Sequence, residues 1–518
     1  MGSVDADQER VQEIYQRFEQ SRFDEAIALG VAFLEHHGEH PDVLLVMGLI
    51  SIQRGDAANS IVLLEAAYAL APDNPNIVYN LGVAFQKSDQ MDRAKTFWEE
   101  ALTLYPEHVA ALKNLTVSSL ENGDFPSVRE FATRILKLSA NDREALNWLA
   151  YAYYQEDNFE LAEALYRKIM KLYPDEPEAH YRHGLVARDL ALVDASLKSF
   201  ERAVQLCPDD ANAHMGLAHA LLMKGQYRDG FAQYEWRRKR EAWPEDTVDA
   251  PYWAGEEILG KSVLVKAEQG HGDVIQFLRY LPKVAKRVGR LSVSVHPALM
   301  SLVEKIDGVD GVETIHLETG QYDAQVPMMS LAHIFETSLD TIPDAVFPDI
   351  DVNPELSKII PSNSEMNVGV VWAGNPERNN DHFRSCPFAS FKHLFAAVPQ
   401  ATFFSLQVGD VADDLRASQP ENVIDLSPQL KSYEDTAGFI KGMDLVISVD
   451  TSTLHLAASM GVETWNMLGY AADWRWFEAR DDNPWYPTMR LFRQEKLGDW
   501  DGLVQRLSKA LSARISAH

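Results

Sequence analysis

The chain has 518 residues, 46% of them hydrophobic and 24% charged, an ordinary globular balance with room for about three domains at roughly 150 residues each. Its 77 acidic against 48 basic residues give a formal net charge of -29, which argues against a general binder of nucleic acid or anionic membranes, because phosphate surfaces demand basic ones. Only two cysteines are present, Cys207 and Cys386, so neither a disulfide framework nor a CxxC metal pattern is expected, and no metal site is predicted.

The opening residues Met1 to Asp7 lack a basic stretch followed by an apolar core, so a secretory signal is not expected. No apolar run reaches the roughly 18 residues of a membrane helix. The expectation is a cytoplasmic protein without membrane insertion.

The first half repeats itself. Pro72 and Pro106 lie 34 residues apart, as do Pro174 and Pro208. Gly48, Gly82 and Gly184 keep the same ladder, and so do Ala94 and Ala162. Each unit reads as two amphipathic helices. In one of them the first helix runs through Val78, Leu81, Gly82 and Phe85, and the second through Ala94, Trp98 and Ala101 before Pro106. Gly82 and Ala94 are small where the helices cross. Trp98 and Tyr166 are expected to fill the space between repeats, and the prolines to end the second helices. The unit over 109–142 is degenerate, with Thr116 at the glycine place and Ala140 at the proline place. A period of about 34 residues resembles the tetratricopeptide family. The resemblance implies an α-solenoid over 1–240 that holds a partner protein.

After Trp236-Arg237-Arg238-Lys239-Arg240 the helical period stops, and Pro244, Pro251 and Gly255 mark a connector. Short apolar, β-branched runs then alternate with helical stretches. Strands are predicted at 262–267, 291–295 and 312–315, then at 367–372, 402–406 and 445–449. The alternation implies two parallel α/β layers of Rossmann type, 241–352 and 353–518, meeting near Asp351-Val352-Asn353-Pro354. Ligands of such layers sit at the carboxyl ends of strands.

Three motifs fall there. Glu268-Gln269-Gly270-His271-Gly272-Asp273 follows a strand and opens a helix that contains Gln276. Its glycines allow close approach to a ligand, and Asp273 is either a functional carboxylate or a residue that complements the helix start. Trp372-Ala373-Gly374-Asn375-Pro376 is followed by Asp381-His382-Phe383-Arg384-Ser385. Arg384 is either a clamp for phosphate or carboxylate or one half of a surface ion pair. In Asp450-Thr451-Ser452-Thr453-Leu454-His455 a buried strand ends and a helix opens with three hydroxyls. That is a cradle for phosphate or a simple N-cap beside a packed histidine.

Together these segments resemble the GT-B glycosyltransferases, in particular the heptosyltransferase family and the tetratricopeptide-fused O-linked GlcNAc transferase type. The resemblance implies a metal-independent transferase with no bound cofactor and a nucleotide-sugar donor. The donor side would comprise Trp372, Gly374, Asn375, Arg384, Gln407, Asp450, Thr451, Ser452, Thr453 and His455. The acceptor-side loop would comprise Gln269, Gly270, Gly272 and Gln276, with Asp273 as base and His271 as neighbour or alternative base. The tail, with Asp473-Trp474-Arg475-Trp476, Asn483-Pro484-Trp485-Tyr486-Pro487 and Arg490-Leu491-Phe492-Arg493-Gln494, resembles bacterial tetratricopeptide–glycosyltransferase fusions, some of which decorate flagellin. It implies a CMP-linked nonulosonic acid as donor, with UDP-GlcNAc as runner-up, and Ser or Thr of a protein such as flagellin as acceptor. The rival readings are a transferase acting on lipid or polysaccharide, and a scaffold whose α/β part is inactive.

Overall fold

The computed structural model describes residues 2–244, 247–361, 364–377 and 381–517. The chain forms two compact units, 1–175 and 176–518.

The first unit is a run of paired antiparallel helices between Gly2 and Leu172. Their starts follow from local chemistry. Pro41 and Pro75 stand at first helical positions, and the side chains of Asp56, Asn74, Asp124 and Asp142 cap backbone N–H groups, satisfying donors that a helix start leaves unpaired. The pair α1 (Pro75–Lys87) and α2 (Met91–Leu104) shows why the ladder exists. A Cβ on Gly82 would lie 2.6 Å from the Trp98 ring and 3.0 Å from the Ala94 carbonyl oxygen. Gly48 faces Leu64 in the same way, at 2.7 Å. Trp98 therefore fills the hollow over the glycine of its own pair, in a core it shares with Ala111, Leu112 and Leu115 of the next repeat. In the degenerate unit the sizes are exchanged. Thr116 is buried and donates to the Leu112 carbonyl at 2.7 Å, while the small Ala132 stands where Trp98 stands one unit earlier.

The second unit opens with four more helices of the same kind, from Pro177 to Tyr234. Phe200 packs on two glycines here, 2.7 Å from a Cβ on Gly184 and 2.3 Å from one on Gly216. The last pair, α3 (Ala211–Met223) and α4 (Tyr227–Tyr234), shares one core with the α/β layers C-terminal to it. Tyr227, Phe231 and Tyr234 are buried with Val263, Phe277, Trp474 and Trp485. The Trp485 indole donates to the Tyr227 hydroxyl at 2.7 Å. The expected division at residue 240 falls within this core.

Those layers are built on two parallel sheets. The first has β1 (Ile258–Lys266), β2 (Val288–Val295), β3 (Gly311–Thr314) and β4 (Ala324–Pro327) in the order β3-β2-β1-β4. The second has β5 (Met366–Val371), β6 (Ala401–Ser405), β7 (Val423–Asp425), β8 (Leu445–Val449), β9 (Thr464–Leu468) and β10 (Met489–Arg493) in the order β10-β9-β8-β5-β6-β7. The strand order reverses between β1 and β4 and between β5 and β8. Such reversals open a crevice at the strand ends. Solenoid and parallel α/β layers thus form the expected fold class. Four strands escaped the sequence reading: β4, β7, β9 and β10. Among the described residues no helix is long and apolar enough to cross a membrane.

Candidate functional site

At the second reversal β8 runs into Asp450, and Thr451 caps α5 (Ser452–Ser459) by accepting from the Leu454 N–H at 3.3 Å. Thr451 is also 3.0 Å from the Ser448 hydroxyl. Among the described residues, the N–H groups of Ser452 and Thr453 and the hydroxyl of Thr453 have no partner. They point the positive end of the helix at the crevice. Asp450 lies beneath. Its Oδ2 accepts from the Trp476 indole at 3.0 Å, and its Oδ1 is 3.7 Å from His455 Nε2. Burial works against its charge, but His455 and Trp476 outweigh that and hold its pKa down to about 2. His455 is buried, and its Nδ1 is 2.8 Å from the Tyr486 hydroxyl. Both residues brace the helix start from below.

The loop expected on the acceptor side follows β1. Gln269 adopts φ 65° and donates to the Tyr234 hydroxyl at 2.5 Å. Gly270 then starts α6 (His271–Phe277). Asp273 accepts from the Gly270 N–H at 2.8 Å through one oxygen and from Arg475 at 2.5 Å through the other. Arg475 is buried and donates also to Asp473 at 2.8 Å and to the side chain of Gln276 at 2.7 Å. Burial opposes the charge of this guanidinium, but Asp273 and Asp473 overcome it and raise its pKa. Asp273 is thus engaged at both oxygens, and Gln276, fully buried, positions Arg475 rather than lining the loop surface.

His271 is the less committed group. Its Nδ1 is 2.9 Å from the Tyr433 hydroxyl, which donates to Ser452 Oγ at 2.8 Å. Tyr433 lies on α7 (Tyr433–Ile440). The His271 ring is 4.5 Å from that of His296, which follows β2. Burial, then the neighbouring His296, lower the His271 pKa, which favours the neutral imidazole. Its Nε2 has no hydrogen-bond partner among the described residues. Gly272 is the point where the two helix starts meet. A Cβ there would lie 2.7 Å from the His455 ring and 3.5 Å from Ser452 Cα.

The remaining predicted donor contacts divide. Trp372 is fully buried, its ring stacked on Phe391 at 5.7 Å, so that ring belongs to the core. Gln407 is buried too. It accepts from the N–H groups of Trp372 and Ala373 and donates to the carbonyls of Ala373 and Val408. It braces the loop after β5 with all its hydrogen-bonding capacity. Gly374 lies under Arg384: a Cβ would be 2.0 Å from Nη2. Arg384 pairs with Asp381 at 2.5 Å, and Ser385 links Asp381 to the Gly374 N–H. Asn375 accepts from the Glu377 N–H at 3.1 Å. The Arg384 ion pair is real, and its cation faces the turn after β5.

Sequence reading missed Tyr433 and His296, which carry no motif signal of their own. It quoted Arg475, Trp476 and Tyr486 only as members of an aromatic tail. The clue was an arginine between two tryptophans in a strongly acidic chain: a cation so enclosed needs a buried carboxylate partner.

Among known families, two of the tetratricopeptide repeat type match the chain, one at residues 51–118 and 119–188, the other at 13–75 and 181–239. The chain is 27% identical over 384 residues to Protein FlbA of Caulobacter vibrioides, which takes in 65% of this chain and 62% of FlbA. It therefore spans less than two thirds of that relative. Among solved structures, it resembles the C-terminal part of a TPR repeat-containing protein of Cytophaga hutchinsonii with a TM-score of 0.40 at 12% identity, over 45% of this chain and 96% of that one. A variant of the Thermobaculum terrenum O-GlcNAc transferase aligns with a TM-score of 0.30 at 15% identity, over 79% of this chain and 91% of that one. The N-terminal part of this chain is thus built of tetratricopeptide repeats, and parallel Rossmann-like layers come after them.

Proposed function

We propose that the chain is a cytoplasmic GT-B-type glycosyltransferase that moves a sugar from a nucleotide donor to a Ser or Thr hydroxyl of a protein held by its repeats. One observation carries the reading. The open start of α5 and the open Nε2 of His271 belong to opposite sheets, yet a single hydrogen-bonded chain through Tyr433 and Ser452 joins them. A base and a phosphate cradle thereby adjoin.

In this reading the acceptor hydroxyl gives its proton to His271 Nε2. Its oxygen bonds to the anomeric carbon, the bond from that carbon to the donor phosphate breaks, and the electron pair leaves with the nucleotide. The N–H groups of Ser452 and Thr453 and the Thr453 hydroxyl stabilise the departing phosphate. Arg384 joins them when it turns from Asp381. Asp273, with both oxygens engaged, positions the loop, and the base role passes to His271. Binding the acceptor on the repeats raises its local concentration at the crevice. The donor preferred here is a CMP-linked nonulosonic acid, with UDP-GlcNAc second, and flagellin is the preferred acceptor. The test is a thermal-shift series with CMP, UDP, GDP and ADP. A ligand at 100 times its dissociation constant stabilises by about 2.7 kcal/mol. The matching nucleotide sugar should then give transfer that His271→Asn abolishes.

One observation favours a second reading, a protein-binding scaffold. Asp273, expected as the base, and Asp450, expected to face the donor sugar, both have their oxygens engaged within the protein. If no nucleotide shifts the melt while a partner still binds, the scaffold reading stands and the transferase fails.

A further inference from the structure

We propose that Tyr433 is the positioning residue of the acceptor-side base: it fixes the tautomer of His271 and couples that tautomer to an anion bound at the start of α5. This rests on the transferase reading for its purpose, but not for its geometry.

The argument is one of proton counting. A phenol has one proton. Tyr433 gives it to Ser452 Oγ at 2.8 Å. Toward His271 Nδ1, 2.9 Å away, its oxygen is left only as an acceptor, so Nδ1 must carry the hydrogen. The neutral imidazole then has its lone pair on Nε2, the nitrogen without a partner among the described residues. The ring is held in place as well: it meets the Tyr433 ring edge-on at 5.6 Å and lies 4.5 Å from His296. The Nδ1 of His296 accepts from the Ala298 N–H at 3.3 Å, so His296 offers an N–H at its other nitrogen and does not compete for the tyrosine.

The chain has a direction. Ser452 accepts from Tyr433, so its own hydroxyl proton is free to turn toward the crevice, where the N–H groups of Ser452 and Thr453 open. A phosphate oxygen there would take that proton in a charge-assisted bond. Every bond would then run the same way, from His271 Nδ1–H to Tyr433, from Tyr433 to Ser452 and from Ser452 to phosphate. Hydrogen bonds in such a chain polarise one another. An anion at its end makes the Nδ1–H a stronger donor and Nε2 a stronger base. Other charged or titratable groups near the ring are His296 after β2, His455 across Gly272, and Asp273 on the same helix, already paired with Arg475. None of them bonds His271 in the structure.

The test uses the full chain with ¹⁵N-labelled histidine, the His271 signals being identified by their loss in His271→Asn. Wild type should show the Nδ1–H tautomer. In Tyr433→Phe, which keeps the ring and loses the hydroxyl, the tautomers should mix. In Ser452→Ala the tyrosine proton is freed to turn to Nδ1, and the hydrogen should move to Nε2. Titration with inorganic phosphate, then CMP and UDP, should raise the His271 pKa in wild type, and raise it less in Tyr433→Phe, where only the field of the anion through space remains. Identical ¹⁵N shifts in wild type and both variants would overturn the positioning role, even if the enzyme transfers sugar. An unchanged His271 pKa on saturation with an anion, or no anion binding at all, would overturn the coupling. The Nδ1–H tautomer with inorganic phosphate bound and raising the His271 pKa, but no nucleotide bound, would sink the transferase reading alone.

Discussion

Replacing Arg475 by leucine tests the buried network that holds the loop after β1. The guanidinium is 6% exposed and bonds Asp273, Asp473 and Gln276. Its removal strands the Asp273 carboxylate, whose side chain is 17% exposed, whereas Asp473, at 35%, can turn to water. Breaking a buried pair by deleting one partner costs about 3–5 kcal/mol, and the lost bond to Gln276 adds about 1 kcal/mol. Asp273→Asn should cost less, since Arg475 keeps Asp473. The double variant should be milder than the sum of the two, because no carboxylate is then stranded. Urea unfolding of the full chain, followed by tryptophan fluorescence, measures this, with Trp474, Trp476 and Trp485 packed in that core. An Arg475→Leu cost under about 1 kcal/mol, well below the cost of an uncompensated buried charge, would refute the reasoning. Asp273→Asn also separates two roles. If the residue positions the loop, stability and transfer fall together. If it is the base, transfer vanishes at unchanged stability.

Gly272→Ala should destabilise by about 1–3 kcal/mol through overpacking, because the new methyl group meets a His455 ring that Tyr486 and Asp450 hold in place; a urea midpoint equal to wild type would contradict the close approach. Gly82→Ala gains about 1 kcal/mol of helix propensity, but it presses on Trp98 and on the Ala94 carbonyl, so circular dichroism should show a net loss of stability, and a net gain would mean that the helices part easily. The pKa of Asp450 falls on folding from 3.8 to about 2. Its contribution, about 2 kcal/mol, is complete above the unfolded value and is lost as pH falls through the folded one. The stability gap between wild type and Asp450→Asn should accordingly be constant from pH 7 to 5 and close toward pH 2, and a gap independent of pH would rule out a buried charge there.

Much of the fold was legible because its signals are local. The 34-residue ladder names residues that touch, such as Gly82 and Trp98. The six predicted strands are short β-branched runs flanked by turns, and all six exist. The missed strands lack that signal. β7 has three residues, β4 ends in Pro327, and β9 carries Thr464 and Asn466, polar residues that read as loop yet are fully buried. For the candidate site, the strand-end turns were readable and the side-chain partners were not. Glycine turns and hydroxyl runs at strand ends mark where a crevice opens. Whether a side chain there points at a ligand or back into the protein depends on partners distant in sequence. Gln407 looks outward in the sequence and binds four backbone groups in the fold. Asp273 meets an arginine 202 positions away. Tyr433, 162 positions from His271, had no pattern that could announce it.

The end of the repeats shows the same limit with a sharper consequence. Periodicity stops at residue 240, so a truncation there looks natural. Packing says otherwise. Tyr227, Phe231 and Tyr234 are buried in the core of the sheets. Arg237, just beyond them and 4% exposed, bonds Glu268 after β1 through two nitrogens at 2.7 and 2.8 Å and Ser330 after β4 at 2.8 Å. It plugs the reversal point of the first sheet, while that of the second stays open at α5. Deleting an aromatic side chain from such a core costs about 3–5 kcal/mol. Losing three of them together with the partner of Glu268 matches or exceeds the roughly 5–15 kcal/mol that holds a whole domain. A chain of residues 241–518 should therefore be insoluble or molten, whereas 176–518 should melt cooperatively, as read by near-ultraviolet circular dichroism. Equal cooperativity in both would mean that the α/β layers stand without the last helical pairs, and that Arg237 and its neighbouring aromatics merely rest on a core complete without them.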